Sequence, residues 1–293
     1  MIDPRLRDEA VRLYDDFTHE HHDRRTLLKR MTALAGSVAA AEALIAGIAA
    51  SPAAAAIVAA DDPRLKIDAK AGLPLPHGKT LRGYIARPKG AAAKATVFVI
   101  HENRGLTPHI QDVARRVALA GFFAVAPDLL SDQGGTPADE DKAREMIGKA
   151  DLAAVTQEVV DSVRHFGGTP HRTKVGIIGF CWGGAMVDRV AVSAGDAVDA
   201  GVAYYGPAPD PSEAAKVGAP LLLHYAGKDA RVAQTGEPWV AALKAAGKSV
   251  EAFTYPGVDH AFNNDTSQER YDKAAADLAW GRTIAFLHRH LDG

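Results

Sequence analysis

The stretch VGIIGFCWGGAM, Val175 to Met186, decides how this chain is read, because it holds the only cysteine in 293 residues between closely spaced glycines. Val175 to Ile178 has the unbroken apolar character of a strand buried on both faces. The Ala- and Val-rich run Gly183 to Val192 is long enough for a helix. Between them Gly179-Phe180-Cys181-Trp182-Gly183 leaves room only for a sharp turn. Average sequences hold about 7% glycine, so flanking a given residue with Gly at both i−2 and i+2 by chance has odds on the order of 1 in 200.

Outward from this stretch, strands and helices alternate. Leu81 to Ala86, Thr96 to Ile100, Phe122 to Ala126, Gly201 to Tyr204, Leu221 to Tyr225 and Glu251 to Tyr255 read as strands. Ile110 to Ala120, Leu152 to Phe166, Glu237 to Ala246 and Arg270 to His290 read as helices. This alternation predicts an α/β fold: a mostly parallel, doubly wound sheet covered by helices on both faces, with its chemistry at the carboxyl ends of the strands. Residues 61–293 form this domain and residues 1–60 an N-terminal extension.

The extension differs in composition. Charge and histidine crowd Met1 to Arg30, whereas Met31 to Ala60 is Ala-rich with Glu42 as its only charge. Asp23-Arg24-Arg25-Thr26-Leu27-Leu28-Lys29 resembles a twin-arginine export signal, with small residues for cleavage between Ala54 and Ala60, which gives a periplasmic expectation. The alternative is an ordered N-terminal helical segment in a cytoplasmic protein. The uncharged run Ala43 to Ala60 contains Gly47, Ser51 and Pro52 and makes a poor membrane span, so no stable membrane anchor is expected. His19, His21 and His22 lack a defined ligand spacing and read as a solvated charged end rather than a metal site.

Lys+Arg 34 against Asp+Glu 36 leaves a net charge of −2, which argues against nucleic acid and toward a small-molecule partner, with homo-oligomerisation left open. A single cysteine makes no internal disulfide. No Walker motif, no G-x-G-x-x-G and no H-E-x-x-H occurs, so no cofactor, metal or nucleotide is implied.

The spacing around Cys181 is G-x-C-x-G, the nucleophile-elbow pattern with cysteine in place of serine. Its turn exposes the central side chain and sets the Trp182 backbone N–H at a helix start, aimed where an oxyanion would form. A nucleophile needs a base, and the base an orienting carboxylate. His260, in YPGVDHAF beyond the last strand, stands out among twelve histidines. His224 lies inside the apolar strand LLLHY and reads as core, His288 and His290 as surface, and His101 as a loop-positioning residue. Asp229 follows the strand before His260. Asp128 precedes the nucleophile in the chain, and Asp259 is the rival orienter, disfavoured because adjacent residues on a turn seldom face each other. The order Cys181, Asp229, His260 is that of α/β-hydrolases.

Together VFVIHENRGL, VALAGFFAVAPDLLS, VGIIGFCWGGAM, APLLLHYAGKD and YPGVDHAF resemble the dienelactone hydrolase family (carboxymethylenebutenolidases), in its branch carrying HENRGL and YPGV[DN]H, over about Pro63 to Leu291. The resemblance implies an α/β-hydrolase fold without a large lid, a triad of Cys181, His260 and Asp229, and an ester or lactone substrate. It also implies that Glu102 takes the cysteine's proton when substrate binds, and that the Trp182 and Asn103 amides form the oxyanion hole. Thioesterase or general carboxylesterase activity with the same triad is the alternative; a non-catalytic binding protein on this scaffold is the rival from another class. One departure stands out: the family's arginine soon after the histidine is missing from Ala261-Phe262-Asn263-Asn264-Asp265. Arg104 is the candidate replacement clamp for a substrate carboxylate, or else holds its loop in a salt bridge.

Overall fold

A computed structural model describes residues 3–19, 23–49, 56–90, 93, 95–168 and 173–292. Among these the sheet has eight strands: β1 (Leu65–Pro74), β2 (Thr80–Pro88), β3 (Thr96–Ile100), β4 (Phe123–Pro127), β5 (Val175–Phe180), β6 (Ala200–Tyr204), β7 (Leu221–Ala226) and β8 (Val250–Tyr255). Their order is β1-β2-β4-β3-β5-β6-β7-β8. β1 pairs antiparallel with β2, and β2 with β4, while the other neighbours run parallel. The sheet is therefore mostly parallel, as expected. β1 is an addition: its burial alternates irregularly around a register shift between Asp68 and Ala71, so it carries no clean period-two signal.

Strand periodicity sorts the core. Val97 and Val99 of β3 face α4 (Pro108–Leu119) and α9 (Lys273–Leu291), packing with Ile110, Val113, Val117, Phe286 and Leu287. Phe98 and Ile100, one residue out of phase, face α6 (Leu152–Gly167), α7 (Trp182–Ser193) and α8 (Ala230–Ala245) and pack with Val159, Val163, Met186, Val190 and Trp239. Residues from β3 and β5 occur in both clusters, which is why those strands read as continuous apolar runs.

α8 begins seven residues earlier than Glu237, where the sequence placed it. Pro238 suits a first helical turn, and this misleads; the Asp229 side chain instead accepts from the Val232 N–H and caps a helix that carries Pro238 inside it. A short α5 (Glu140–Gly148), capped by Asp139, was also not foreseen.

The N-terminal extension is helical. α1 (Pro4–His19), α2 (Arg24–Ala35) and α3 (Val38–Ile48) enclose a small core of their own, formed by Val11, Tyr14, Phe17, Leu27, Met31, Leu44 and Ile48. Asp23 and Ser37 cap α2 and α3, and Gly36 ends α2 in the left-handed region (φ 80°). Polar contacts hold this unit over the carboxyl ends of the strands: Arg7 to Asp259 (2.7 Å), Arg270 to Asp15 (3.3 Å) and Asn103 Nδ2 to the Thr18 carbonyl (3.2 Å). Among the described residues no single helix is long and apolar enough to cross a membrane, and α2 and α3, which pass that test only together, are bent by 112°. The expected cleavage region between Ala54 and Ala60 lies partly outside the described residues.

Candidate active site

Cys181 stands between β5 and α7 with φ 54° and ψ −114°, outside the regions that L-residues ordinarily occupy. Two glycines make the turn possible. A Cβ at Gly179 would collide with the Gly183 carbonyl oxygen, and one at Gly183 would lie 2.5 Å from the carbonyl oxygens of Ile100 and His101. Trp182 is the first residue of α7, so its N–H is among the helix donors without an intrahelical partner. The Trp182 indole stacks on His101 (5.5 Å between ring centres, 12° between planes). His101 in turn accepts from the Leu129 N–H (3.2 Å), fixing the loop after β3, the positioning role expected of it.

His260 follows β8, and its Nδ1 lies 2.5 Å from Asp229 Oδ2. Asp229 is thus both the cap of α8 and the carboxylate partner of the imidazole. Asp259 is taken by Arg7, and Asp128 receives hydrogen bonds from the Leu130 and Thr136 N–H groups, so neither faces the ring. Burial opposes charge on His260, but the neighbouring Cys181 sulfur and Asp229 outweigh it and push the imidazole up to about 10. Burial likewise opposes charge on Asp229, yet His260 and Arg231 hold its carboxyl below the ordinary range. Ala261 (φ 65°) and Tyr205 (φ 39°), the latter packed 5.0 Å from the His260 ring, are also in positive-φ conformations, which concentrates backbone strain around this imidazole.

His260 Nε2 is buried without a hydrogen-bond partner. The sulfur is met instead by His19, at the end of α1, whose Nε2 lies 3.3 Å from Cys181 Sγ. This corrects the reading of His19 as part of a solvated end: α1 carries it into the site, where its ring meets that of His260 edge-on at 4.6 Å. Burial, then the charges of His260 and Arg231, keep His19 well below its ordinary value, so its imidazole is neutral. His21 and His22 lie outside the described residues. No spacing rule links position 19 to position 181, so the missing signal was tertiary; Val11, Tyr14 and Phe17 recur every three residues on one face of α1, a pattern that signals a buried helical face but not what it covers.

Glu102 lies beyond β3. Its Oε2 accepts from Asn264 Nδ2 (2.9 Å), and its Oε1 is buried without a partner. Glu102, Asn103, Cys181, His260, His19, Tyr14, Asn264 and Arg270 line one small cavity of about 30 Å³. Arg104 borders it too, but its guanidinium is spent on Asp141 (3.2 Å) and the Tyr14 hydroxyl (3.1 Å), the salt-bridge alternative of the two. Arg270, ten residues beyond His260, lies too far along the chain to count as an arginine soon after the histidine; it is held by Ser267 (2.9 Å) and Asp15 (3.3 Å). His224 is a satisfied core residue between Thr283 and Tyr255, as expected, while His288 and His290 are half-buried on α9.

A strained turn between strand and helix, an imidazole and a carboxylate arriving after later strands, and this sheet order define the α/β-hydrolase class. Within it the chain belongs to the dienelactone hydrolase family, whose sequence profile matches residues 81–291. It is 33% identical over 273 residues to a protein of Methylorubrum extorquens provisionally named carboxymethylenebutenolidase, covering 88% of this chain and 91% of that protein. It is 33% identical over 227 residues to protein usf of Aquifex pyrophilus, covering 73% of this chain and 96% of that one. A provisionally named dienelactone hydrolase from Klebsiella pneumoniae superposes with a TM-score of 0.66 at 32% identity, over 77% of this chain and 99% of that one. The protein is a dienelactone hydrolase-like hydrolase acting on ester or lactone bonds.

Proposed function

We propose that Cys181 is the nucleophile of this hydrolase, working with His260 and Asp229 on a small ester or lactone. The observation that carries this reading is Cys181 held at φ 54° on a turn that only Gly179 and Gly183 allow, facing an imidazole bonded to Asp229 at 2.5 Å. The thiolate attacks the carbonyl, and the Trp182 and Asn103 amides stabilise the tetrahedral oxyanion. His260 then protonates the departing alcohol and activates the water that releases the acid. A lactone suits the site because its leaving alcohol stays tethered. Glu102, with one buried oxygen unpartnered, is poised to receive the thiol proton once substrate is bound, so that the sulfur is activated on demand.

Cys181→Ala is expected to abolish turnover of p-nitrophenyl esters and lactones while leaving the circular dichroism spectrum unchanged; undiminished hydrolysis by that variant ends the proposal. Glu102→Gln is expected to flatten the acceleration of Cys181 alkylation by iodoacetamide that a substrate analogue produces in the wild type. An alkylation rate that ignores the analogue in both proteins removes the gating role. A panel of lactones, acyclic esters and acyl thioesters ranked by kcat/KM separates the lactonase reading from a thioesterase or carboxylesterase.

The N-terminal segment reads best as retained, since α1 buries Phe17 and sets His19 beside Cys181. Intact mass of the protein from its native host tests this against removal of residues 1–60 with an export signal.

A further inference from the structure

We infer that His19, Cys181 and His260 together form a binding site for one thiophilic divalent cation, Zn²⁺ in the first instance, which switches off the sulfur and clamps α1 onto the hydrolase domain. The donor set is one thiol and two imidazoles, whose candidate ligand atoms all lie within 4.8 Å of one another. Tetrahedral zinc, with Zn–S about 2.3 Å and Zn–N about 2.0–2.1 Å, sets its sulfur and nitrogen donors roughly 3.5 Å apart. His19 Nε2 and Cys181 Sγ already stand at 3.3 Å.

Both imidazoles are oriented as metal ligands are, by an acceptor on the other ring nitrogen. His19 Nδ1 donates to the Asp15 carbonyl oxygen at 2.8 Å, which leaves the Nε2 lone pair directed at the sulfur. His260 Nδ1 is held by Asp229, and its Nε2, on a residue only 3% exposed, has no hydrogen-bond partner. That orphaned atom is an observation independent of the cysteine. Nitrogen and thiolate donors favour zinc over magnesium or calcium. The cavity bordered by Glu102 and Asn264 leaves the fourth position open to water.

Binding releases one proton to solvent, leaving Cys181 as thiolate and His260 Nε2 unprotonated, and forms one metal–sulfur and two metal–nitrogen bonds. The sulfur lone pair and His260 Nε2 are then engaged and unavailable for attack or proton transfer. His19 comes from α1 and the other two ligands from the domain, so the ion ties the two parts together. This consequence for turnover rests on the nucleophile proposed above; the metal site itself does not.

Titration of the full-length, reduced protein with Co²⁺ tests it. One equivalent per chain is expected to produce a near-ultraviolet thiolate-to-cobalt charge-transfer band, which Zn²⁺ then bleaches by displacement and Mg²⁺ does not. Cys181→Ser is expected to lose the band, and His19→Ala to weaken Zn²⁺ binding by at least about tenfold, the lower bound for disturbing a ligand's surroundings. The melting temperature is expected to rise with Zn²⁺ in the wild type and to stay level in His19→Ala. Absence of the band in the wild type overturns the inference, as does a Zn²⁺ affinity in His19→Ala and His19→Gln equal to that of the wild type; the wild-type spectrum decides whichever variant folds. If the band forms while no ester or lactone is hydrolysed, the metal site stands and the catalytic reading falls.

Discussion

Asp188 shows how far one carboxyl on α7 is set by its surroundings. It is 1% exposed, on the helix that follows Cys181, and its carboxylate accepts a hydrogen bond from the Trp239 indole at 3.2 Å. Burial outweighs that bond and the nearby Arg189, pushing the carboxyl up to about 7. The native state thus holds this proton more tightly than the unfolded chain, whose carboxyl titrates near 3.8. Its contribution to stability is fully present below pH 3.8 and is lost as pH rises through 7; complete ionisation costs on the order of 4 kcal/mol. Asp188→Asn keeps an acceptor for Trp239 and removes the charge. It is expected to raise the melting temperature at pH 8 and to leave it nearly unchanged at pH 4. A variant equally stabilised at both values would show that ionisation is not the cause. No residue pattern in the sequence distinguishes Asp188 from a solvated carboxyl, because the Trp239 that covers it comes from α8, 51 positions away.

At the scale of elements, α1 is the piece whose role was least legible. Its sequence announces an amphipathic helix with charges on one face, and nothing local says that the apolar face is a cover for the strand ends. Phe17 is 2% exposed within the small helical core, under the Arg144 guanidinium at 4.2 Å. Phe17→Ala is expected to cost about 3–5 kcal/mol of local stability by leaving a cavity. Because the residues it destabilises belong to the cover, its main readout is access: alkylation of Cys181, 5% exposed in the native chain, becomes faster while the unfolding midpoint of the sheet domain moves little. Unaltered alkylation in a correctly folded variant would mean that α1 does not limit entry. The elbow is the opposite case. Gly179, Cys181 and Gly183 are spaced within five residues, and their geometry follows from local sterics, so its strand, turn and helix were visible from composition and spacing alone.

Across the whole molecule two unequal cores coexist. The sheet is sandwiched between large apolar clusters on both faces, whereas among the described residues α1 to α3 share a cluster of ten buried residues. A unit of this size buries too little surface to be independently stable and depends on its contacts with the domain. Hydrogen exchange is expected to divide along this line. Amides of β3, β5 and β6 should exchange only by global unfolding, and those of α2 and α3 by a lower-energy opening that leaves the sheet intact. Equal protection for α2 and β5 would make the chain one cooperative unit. The His224 imidazole, held down to about 3 chiefly by burial with a lesser push from Arg282, adds an acid limit to the large core. Its neutral form is favoured in the native state, so this stability is present above 6.5 and is lost as pH falls toward 3.

The sequence by itself determined what short-range sterics and periodicity can encode: the alternation of strands and helices, the glycine-framed turn at Cys181, and loops carrying Asp229 and His260 after later strands. Those features are written within a few residues of one another, or in the order of elements along the chain. Only the tertiary structure decided which side chains share a cavity across long separations. It set His19 against Cys181 over 162 positions, gave Arg104 to Asp141 and Tyr14, and turned Asp259 away from His260 toward Arg7. The physical reason is that packing of buried faces, α1 upon the strand ends above all, fixes distances for which a one-dimensional pattern has no period.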